Sequence, residues 1–175
     1  MIEPGLAFAL RELSWLRDRE LPMLAAHWLA QGLDGPTLRE LAGMTPGDLS
    51  AAGDSLWREA LADAGVVCSA VPVRERAAPY LARIVIEGKL TERRLCEFLW
   101  PWQAGDGESE EPAMAALVYG WDELLDYRER LTRRPDAEAA PDLRRLGAVS
   151  ATALAALADG DIAGAQAAIT AETEA

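Results

Sequence analysis

The chain has few of the side chains from which catalytic and metal centres are built. Among its 175 residues there is one histidine, His27, and there are two cysteines, Cys68 and Cys96, which do not form a C-x-x-C motif. A lone imidazole has no second histidine with which to share a metal ion. No serine or cysteine stands at a spacing that indicates a nucleophile paired with His27. We therefore expect no catalytic residue set, no metal and no cofactor.

Positive charge is also scarce. Lys89 is the only lysine, and 29 acidic residues outnumber 17 basic ones, which gives a formal net charge of −12. Phosphate backbones and anionic membranes repel such a surface, so we expect no nucleic-acid or membrane partner. Complementary charge favours a protein with a basic surface. The many Ala, Arg and Gly residues beside a single lysine indicate a bacterial origin.

Long apolar runs are absent as well. No stretch of about 18 uncharged apolar residues is present, which argues against a membrane-spanning helix. The start of the chain contains Glu3, Arg11 and Glu12 and lacks the apolar core of a secretory signal. Two thiols without an export signal are expected to stay reduced, so the sequence predicts a cytoplasmic protein.

The chain does contain a helical pattern over nearly its whole length. Half of the residues are hydrophobic and six are tryptophan, which is enough to build a core. Apolar residues recur at spacings of three and four, which predicts an all-α, single-domain irregular bundle over 1–175 with about eight to nine helices. Residues 65–73 break this period, so sub-bundles 1–66 and 73–173 joined by an extended connector, with room for a short strand, are an alternative organisation.

Proline, glycine and threonine mark the expected helix ends. The clearest signal is Thr45 before Pro46 with Asp48 three residues on, as in a capping box. The predicted helices are 5–19, a helix starting near Pro22 and ending at Gly32, a short one after Pro36, Pro46–Ala64, Pro79–Gly88, one capped by Thr91, Pro112–Leu131, and a hairpin over 143–171 broken at 159–161.

Residues 37–52 resemble a helix-turn-helix motif in outline, with Gly43 at the turn. Arg39 departs from the motif, because it occupies a position that is usually small. The segment that would read DNA, residues 46–54, carries Asp48 and Asp54 and no Arg, Lys, Asn or Gln. A transcriptional regulator is therefore the third function hypothesis, and two packed helices are the simpler interpretation.

The tail around residues 154–169 resembles half of a tetratricopeptide-type helical hairpin. No second copy occurs at the expected period, and such arrays need about three repeats. We therefore interpret the tail as a hairpin that closes the bundle.

The polar segment 103–111 is the most acidic part of the chain. Asp106, Glu108 and Glu110 alternate like the first ligands of a calcium loop, but Glu111 stands where that loop requires glycine. We therefore interpret the segment as a solvated loop that attracts a basic partner. Trp100-Pro101-Trp102 closes the preceding helix, and an exposed tryptophan favours an interface anchor. The candidate partner-binding residues are Trp100, Trp102, Asp106, Glu108, Glu110 and Glu111.

These observations favour a non-enzymatic, acidic protein-interaction module, such as an adaptor, an inhibitor or an immunity-type protein. The alternative is a helical small-molecule-binding protein or enzyme with a pocket between helices, in which Arg74, Arg76 and Arg83 hold an anionic ligand. Homodimerisation is a further alternative, because helical bundles often pair through apolar stripes that the fold leaves uncovered. Cys96 is expected in the core and His27 at the surface.

Overall fold

The computed structural model describes residues 2–100, 111–133 and 139–173. Within these ranges the chain is all-α, as predicted, with nine α-helices, two short 3₁₀-helices over Asp18–Glu20 and Cys68–Ala70, and no strand. The helices are α1 (Pro4–Glu12), α2 (Leu21–Ala30), α3 (Pro36–Gly43), α4 (Pro46–Asp63), α5 (Val73–Ile86), α6 (Glu92–Leu99), α7 (Pro112–Thr132), α8 (Ala139–Ala158) and α9 (Ile162–Thr173).

The chain divides into two compact units, residues 1–76 and 77–175, and the boundary lies within α5. The segment 65–73, predicted to be extended, instead contains the 3₁₀-helix Cys68–Ala70. The Ala70 N–H donates to the Val67 carbonyl at 3.0 Å, which closes one tight turn. Val73 already belongs to α5, so the predicted extended connector contains a single 3₁₀ turn and no strand.

Two tryptophans form the centre of the first unit. Trp28 on α2 and Trp57 on α4 are buried, and their stacked rings have centroids 5.9 Å apart. The Trp28 indole N–H donates to the Ile2 carbonyl at 2.9 Å, which ties the start of the chain to α2. Other core side chains of this unit include Phe8, Leu10, Leu21, Leu38, Leu41 and Leu61.

Local capping signals in the first unit are confirmed. Gly32 follows α2 with φ at +91°, and the Leu33 N–H donates to the Trp28 carbonyl at 3.1 Å, as in a Schellman motif. At the start of α4, Thr45 and Asp48 exchange side-chain-to-backbone hydrogen bonds of 3.4 and 3.1 Å. These contacts involve residues within a few positions of each other, so the sequence alone predicts them.

The predicted end of the first helix and the predicted start of α5 are wrong. The first helix ends at Glu12 rather than at residue 19, because Ser14 takes a left-handed conformation with φ at +58°. Helix α5 begins at Val73 and contains Pro79 in its interior. A proline there removes one backbone donor, but Ala77, Ala78 and Leu81 are buried and hold the helix together across it.

Helix α7 contacts α6, α8 and α9 and is the central element of the second unit. Its core stripe is Met114, Leu117, Val118, Trp121, Leu124 and Leu125. The hairpin of α8 and α9 turns at Gly160, with φ at +84°, and Asp161 caps α9 by accepting the Gly164 N–H at 2.8 Å. This turn lies where it was predicted, whereas α8 begins at Ala139, four residues before the predicted start.

Candidate partner-binding surface

An aromatic pair marks the junction of α6 and α7. Trp100 follows the last residue of α6 and is half-buried, and its ring meets that of Tyr119 on α7 edge-on, with centroids 4.9 Å apart. The Tyr119 side chain is 43% exposed. Tyr119 therefore presents aromatic surface to solvent, and its ring is held in place by the edge-on contact with Trp100.

The other proposed partner-binding residues have different outcomes. Trp102, Asp106, Glu108 and Glu110 lie outside the residues that the structure describes. Glu111 is only 6% exposed, immediately before the first residue of α7, and its carbonyl accepts the Ala115 N–H at 3.0 Å. A buried carboxylate cannot meet a partner surface, so we leave Glu111 out of the surface proposed below.

An ionic layer joins α6 to α7 beside the aromatic pair. Arg93 of α6 donates to Asp122 of α7 and to Asp126 at 2.6 Å. The hydrogen bond that Arg93 donates to Asp126, together with the charge of Asp122, raises the pKa of Arg93 above its ordinary value. Glu92 in turn accepts a hydrogen bond from Arg128 at 3.2 Å. These ion pairs hold α7 against α6 and thereby set the orientation of the α7 face that carries Tyr119.

Cys96 lies in the core, as predicted. Its side chain is 2% exposed, and burial, assisted by the charge of Asp122, raises the pKa of its thiol to about 12. Cys68 is partly buried, and burial raises the pKa of its thiol as well. Neither thiol is a thiolate at neutral pH. His27 is exposed on α2, which agrees with its predicted surface position.

The three arginines proposed for an anionic ligand have distinct surroundings. Arg76 forms an ion pair with Glu3 and lines a groove of about 480 Å³ in the first unit. The groove is otherwise mainly apolar, with walls that include Pro4, Leu33, Val66, Val67 and Val71. Arg74 is half-buried in the first turn of α5. Arg83 lies in the second unit and donates from Nε and Nη2 to the Ala158 carbonyl at 3.1 and 2.8 Å. Its guanidinium therefore caps the C-terminus of α8.

A second groove, which sequence reasoning missed, lies in the second unit between α7, α8 and α9. Its volume is about 610 Å³, and its lining side chains are Glu123, Leu124, Asp126, Tyr127, Arg130, Arg145, Leu146 and Glu172. Tyr127 is 40% exposed at its edge, and the Arg130 guanidinium lies 5.9 Å from the centre of that ring. Tyr119, Glu123 and Tyr127 recur every fourth residue opposite the core stripe, and this spacing is the signal that identifies the exposed face.

The helix pair that resembles a helix-turn-helix motif is present as α3 and α4. Its charged side chains are engaged within the first unit. Arg39 binds Asp34, Asp48 caps α4, and Asp54 accepts a hydrogen bond from Arg11 at 2.6 Å. Residues 46–54 at the start of α4 therefore carry carboxylates and no base-reading Arg, Lys, Asn or Gln.

No protein-family model, no curated protein and no solved structure matches this chain. In the described part of the chain, no helix is both long and apolar enough to cross a membrane. Over the same residues, no three His, Cys, Asp or Glu side chains are grouped to hold a metal ion.

Proposed function

We propose that this protein is a non-enzymatic interaction module that binds a basic surface of another protein. The observation that carries the proposal is the Trp100–Tyr119 pair, which includes an exposed aromatic ring and whose Trp100 precedes the most acidic segment in the sequence. The composition further leads us to propose a bacterial and cytoplasmic protein.

The aromatic pair supplies the kind of anchor that dominates binding energy. Tyrosine and tryptophan are enriched at the few interface positions where truncation costs most affinity. The Tyr119 ring is already held by its T-shaped contact with Trp100, so little side-chain entropy is lost when a partner covers its exposed part. Tyr119 therefore replaces Glu111 in the set of residues that we expect to contact the partner.

The acidic segment supplies the charge that selects a basic partner. Between Trp100 and the buried Glu111, the sequence contains Asp106, Glu108 and Glu110 and no basic side chain. Carboxylates concentrated in this way raise the association rate with a basic surface and disfavour acidic ones. Salt screens such contacts, so the interaction should weaken steeply as ionic strength rises.

The test is a pull-down with the full chain at low and high salt, followed by titration of the captured partner. Tyr119→Ala, Trp102→Ala and Glu110→Lys should each weaken binding about tenfold or more. Glu59→Lys is the matched control, because Glu59 is an exposed acid on α4 in the first unit. An affinity that is insensitive to salt and to all three substitutions would refute the proposal.

A small-molecule-binding function is the second candidate, and the groove of the first unit favours it. Apolar walls beside the Glu3–Arg76 pair suit a ligand with an apolar body and a carboxylate. Thermal-shift screening with medium-chain fatty acids should then raise the melting temperature of the wild type and not that of Arg76→Gln. Arg17→Gln, at an exposed arginine of the same unit, is the control. Equal shifts in all three proteins, or none, would exclude this function for the groove.

A further inference from the structure

The solvent-facing side of α7 carries an exposed stripe with an acidic residue at its middle and a basic residue at its C-terminal end. Ala116, Tyr119, Glu123, Tyr127 and Arg130 are all exposed and follow one another at spacings of three and four residues. These spacings place them along one face of the helix, opposite the core stripe. We call these five residues the α7 stripe.

The two charged members of the α7 stripe differ from their neighbours. Asp126 pairs with Arg93, Arg128 with Glu92, and Glu129 with Arg133. Within 2–100, 111–133 and 139–173, neither Glu123 nor Arg130 forms a salt bridge. The two are seven residues apart, which is about 10 Å along a helix axis and too far for a direct ion pair.

We propose that two copies of this chain associate through Glu123, Tyr127 and Arg130 of the α7 stripe, with their α7 helices antiparallel and related by a twofold axis. A twofold axis level with residues 126 and 127 brings Glu123 of one copy opposite Arg130 of the other. The same operation brings Arg130 of the first copy opposite Glu123 of the second, so one sequence feature gives two intermolecular ion pairs. This self-complementarity is what a twofold interface requires.

The groove beside the α7 stripe lies at the same contact. Leu124 and Leu146 are among its lining residues but are only 2% and 1% exposed, so its accessible apolar surface includes the Tyr127 ring, which stands at its edge next to the level of the proposed axis. The second copy therefore brings its own Tyr127 to the mouth of this groove. Burial of both tyrosine rings adds apolar and aromatic contact to the two ion pairs.

Charge reversal tests this arrangement with the chain alone, independently of any other partner. Molar mass is measured by light scattering and sedimentation over a range of concentrations. The wild type should be dimeric, and Glu123→Arg or Arg130→Glu should each weaken dimerisation about tenfold or more, since each places like charges opposite one another twice. Glu59→Arg is the control and should leave the dimer unchanged.

Complementation distinguishes intermolecular pairing from a loss of fold. An equimolar mixture of the Glu123→Arg and Arg130→Glu chains restores opposite charges at both contacts, so it should form a heterodimer. The double variant should form a homodimer. A wild type that stays monomeric at every concentration overturns the proposal. A dimer that ignores both single reversals, or single variants that fail to complement each other, overturns it as well.

Discussion

The carboxyl group of Asp63, at the last residue of α4, fills the space into which a side chain at Gly35 would project. A Cβ on Gly35 would lie 2.3 Å from the carboxyl carbon of Asp63. Asp63 Oδ2 accepts the N–H groups of Thr37 and Leu38 at 2.8 and 3.0 Å. It thereby caps α3, whose first N–H groups have no partner within the helix. Glycine is required at position 35 because there is no room for a Cβ, and not because the backbone takes an unusual φ.

Substitution at this contact should show coupling between the two residues. We expect Gly35→Ala to lower the free energy of unfolding by about 1–3 kcal/mol through overpacking, and Asp63→Ala by about 1–2 kcal/mol through loss of the cap. In the double variant the methyl group enters the space that the carboxylate left, so the loss should be smaller than the sum. Denaturant unfolding measures all three. Gly43→Ala, where an added Cβ meets nothing within 4 Å, is the control. Strict additivity would show that the two residues do not share this space.

Arg83 should stabilise the second unit through the end of α8. Its two hydrogen bonds to the Ala158 carbonyl satisfy an acceptor that the helix itself leaves open, and its charge opposes the helix dipole. We expect Arg83→Gln to lower the free energy of unfolding by about 1–2 kcal/mol. Arg144→Gln, at an exposed arginine on α8, should have little effect. Equal losses in the two variants would contradict the capping role.

Asp54 should make the stability of the protein sensitive to acid. Its hydrogen bond from Arg11, reinforced by the charge of that guanidinium, lowers the pKa of the Asp54 carboxyl. A carboxyl with a lowered pKa in the folded state stabilises the fold above its unfolded pKa of about 3.9. That contribution is lost as pH falls through the lower folded value. Urea midpoints of the wild type and Asp54→Asn should therefore differ at neutral pH and converge below about pH 4. A difference that persists in acid would exclude this linkage.

The two cysteines should differ in reactivity. Cys96 is buried with its thiol pKa raised to about 12, whereas Cys68 is partly accessible. Alkylation with iodoacetamide at neutral pH, read by intact mass, should modify Cys68 slowly and leave Cys96 intact until the chain unfolds. Cys68→Ser is the control that isolates Cys96. Modification of native Cys96 at the rate of a free thiol would contradict its place in the core.

The sequence predicts those features that depend on nearby residues. The Thr45 capping box, the turn at Gly160 and the start of α7 at Pro112 are local, and the structure has all three. The end of α1 and the length of α5 depend on conformations and packing that no local signal specifies. The burial of Glu111 could not be predicted for the same reason.

The candidate surface was predictable only in part. The acidic segment and Trp100 are visible in the sequence, but the exposure of Tyr119 and Tyr127 depends on which faces of α7 its neighbours cover. The apolar residues of α7 form its core stripe, and the opposite stripe follows from it once α6, α8 and α9 are in place. The ion pairs of Arg93 with Asp122 and Asp126 join two helices, so the sequence of either helix alone does not predict them.

The stacked rings of Trp28 and Trp57 give the first unit an optical signature of its own. Two indoles with centroids 5.9 Å apart couple their electronic transitions, which produces a paired circular-dichroism signal that vanishes when the rings separate. The rate at which the buried Cys96 thiol is alkylated reports the opening of the second unit. The chain therefore carries one spectroscopic probe in the first unit and one chemical probe in the second. Comparing the unfolding transitions that the two probes report would show whether the two units unfold together or one after the other.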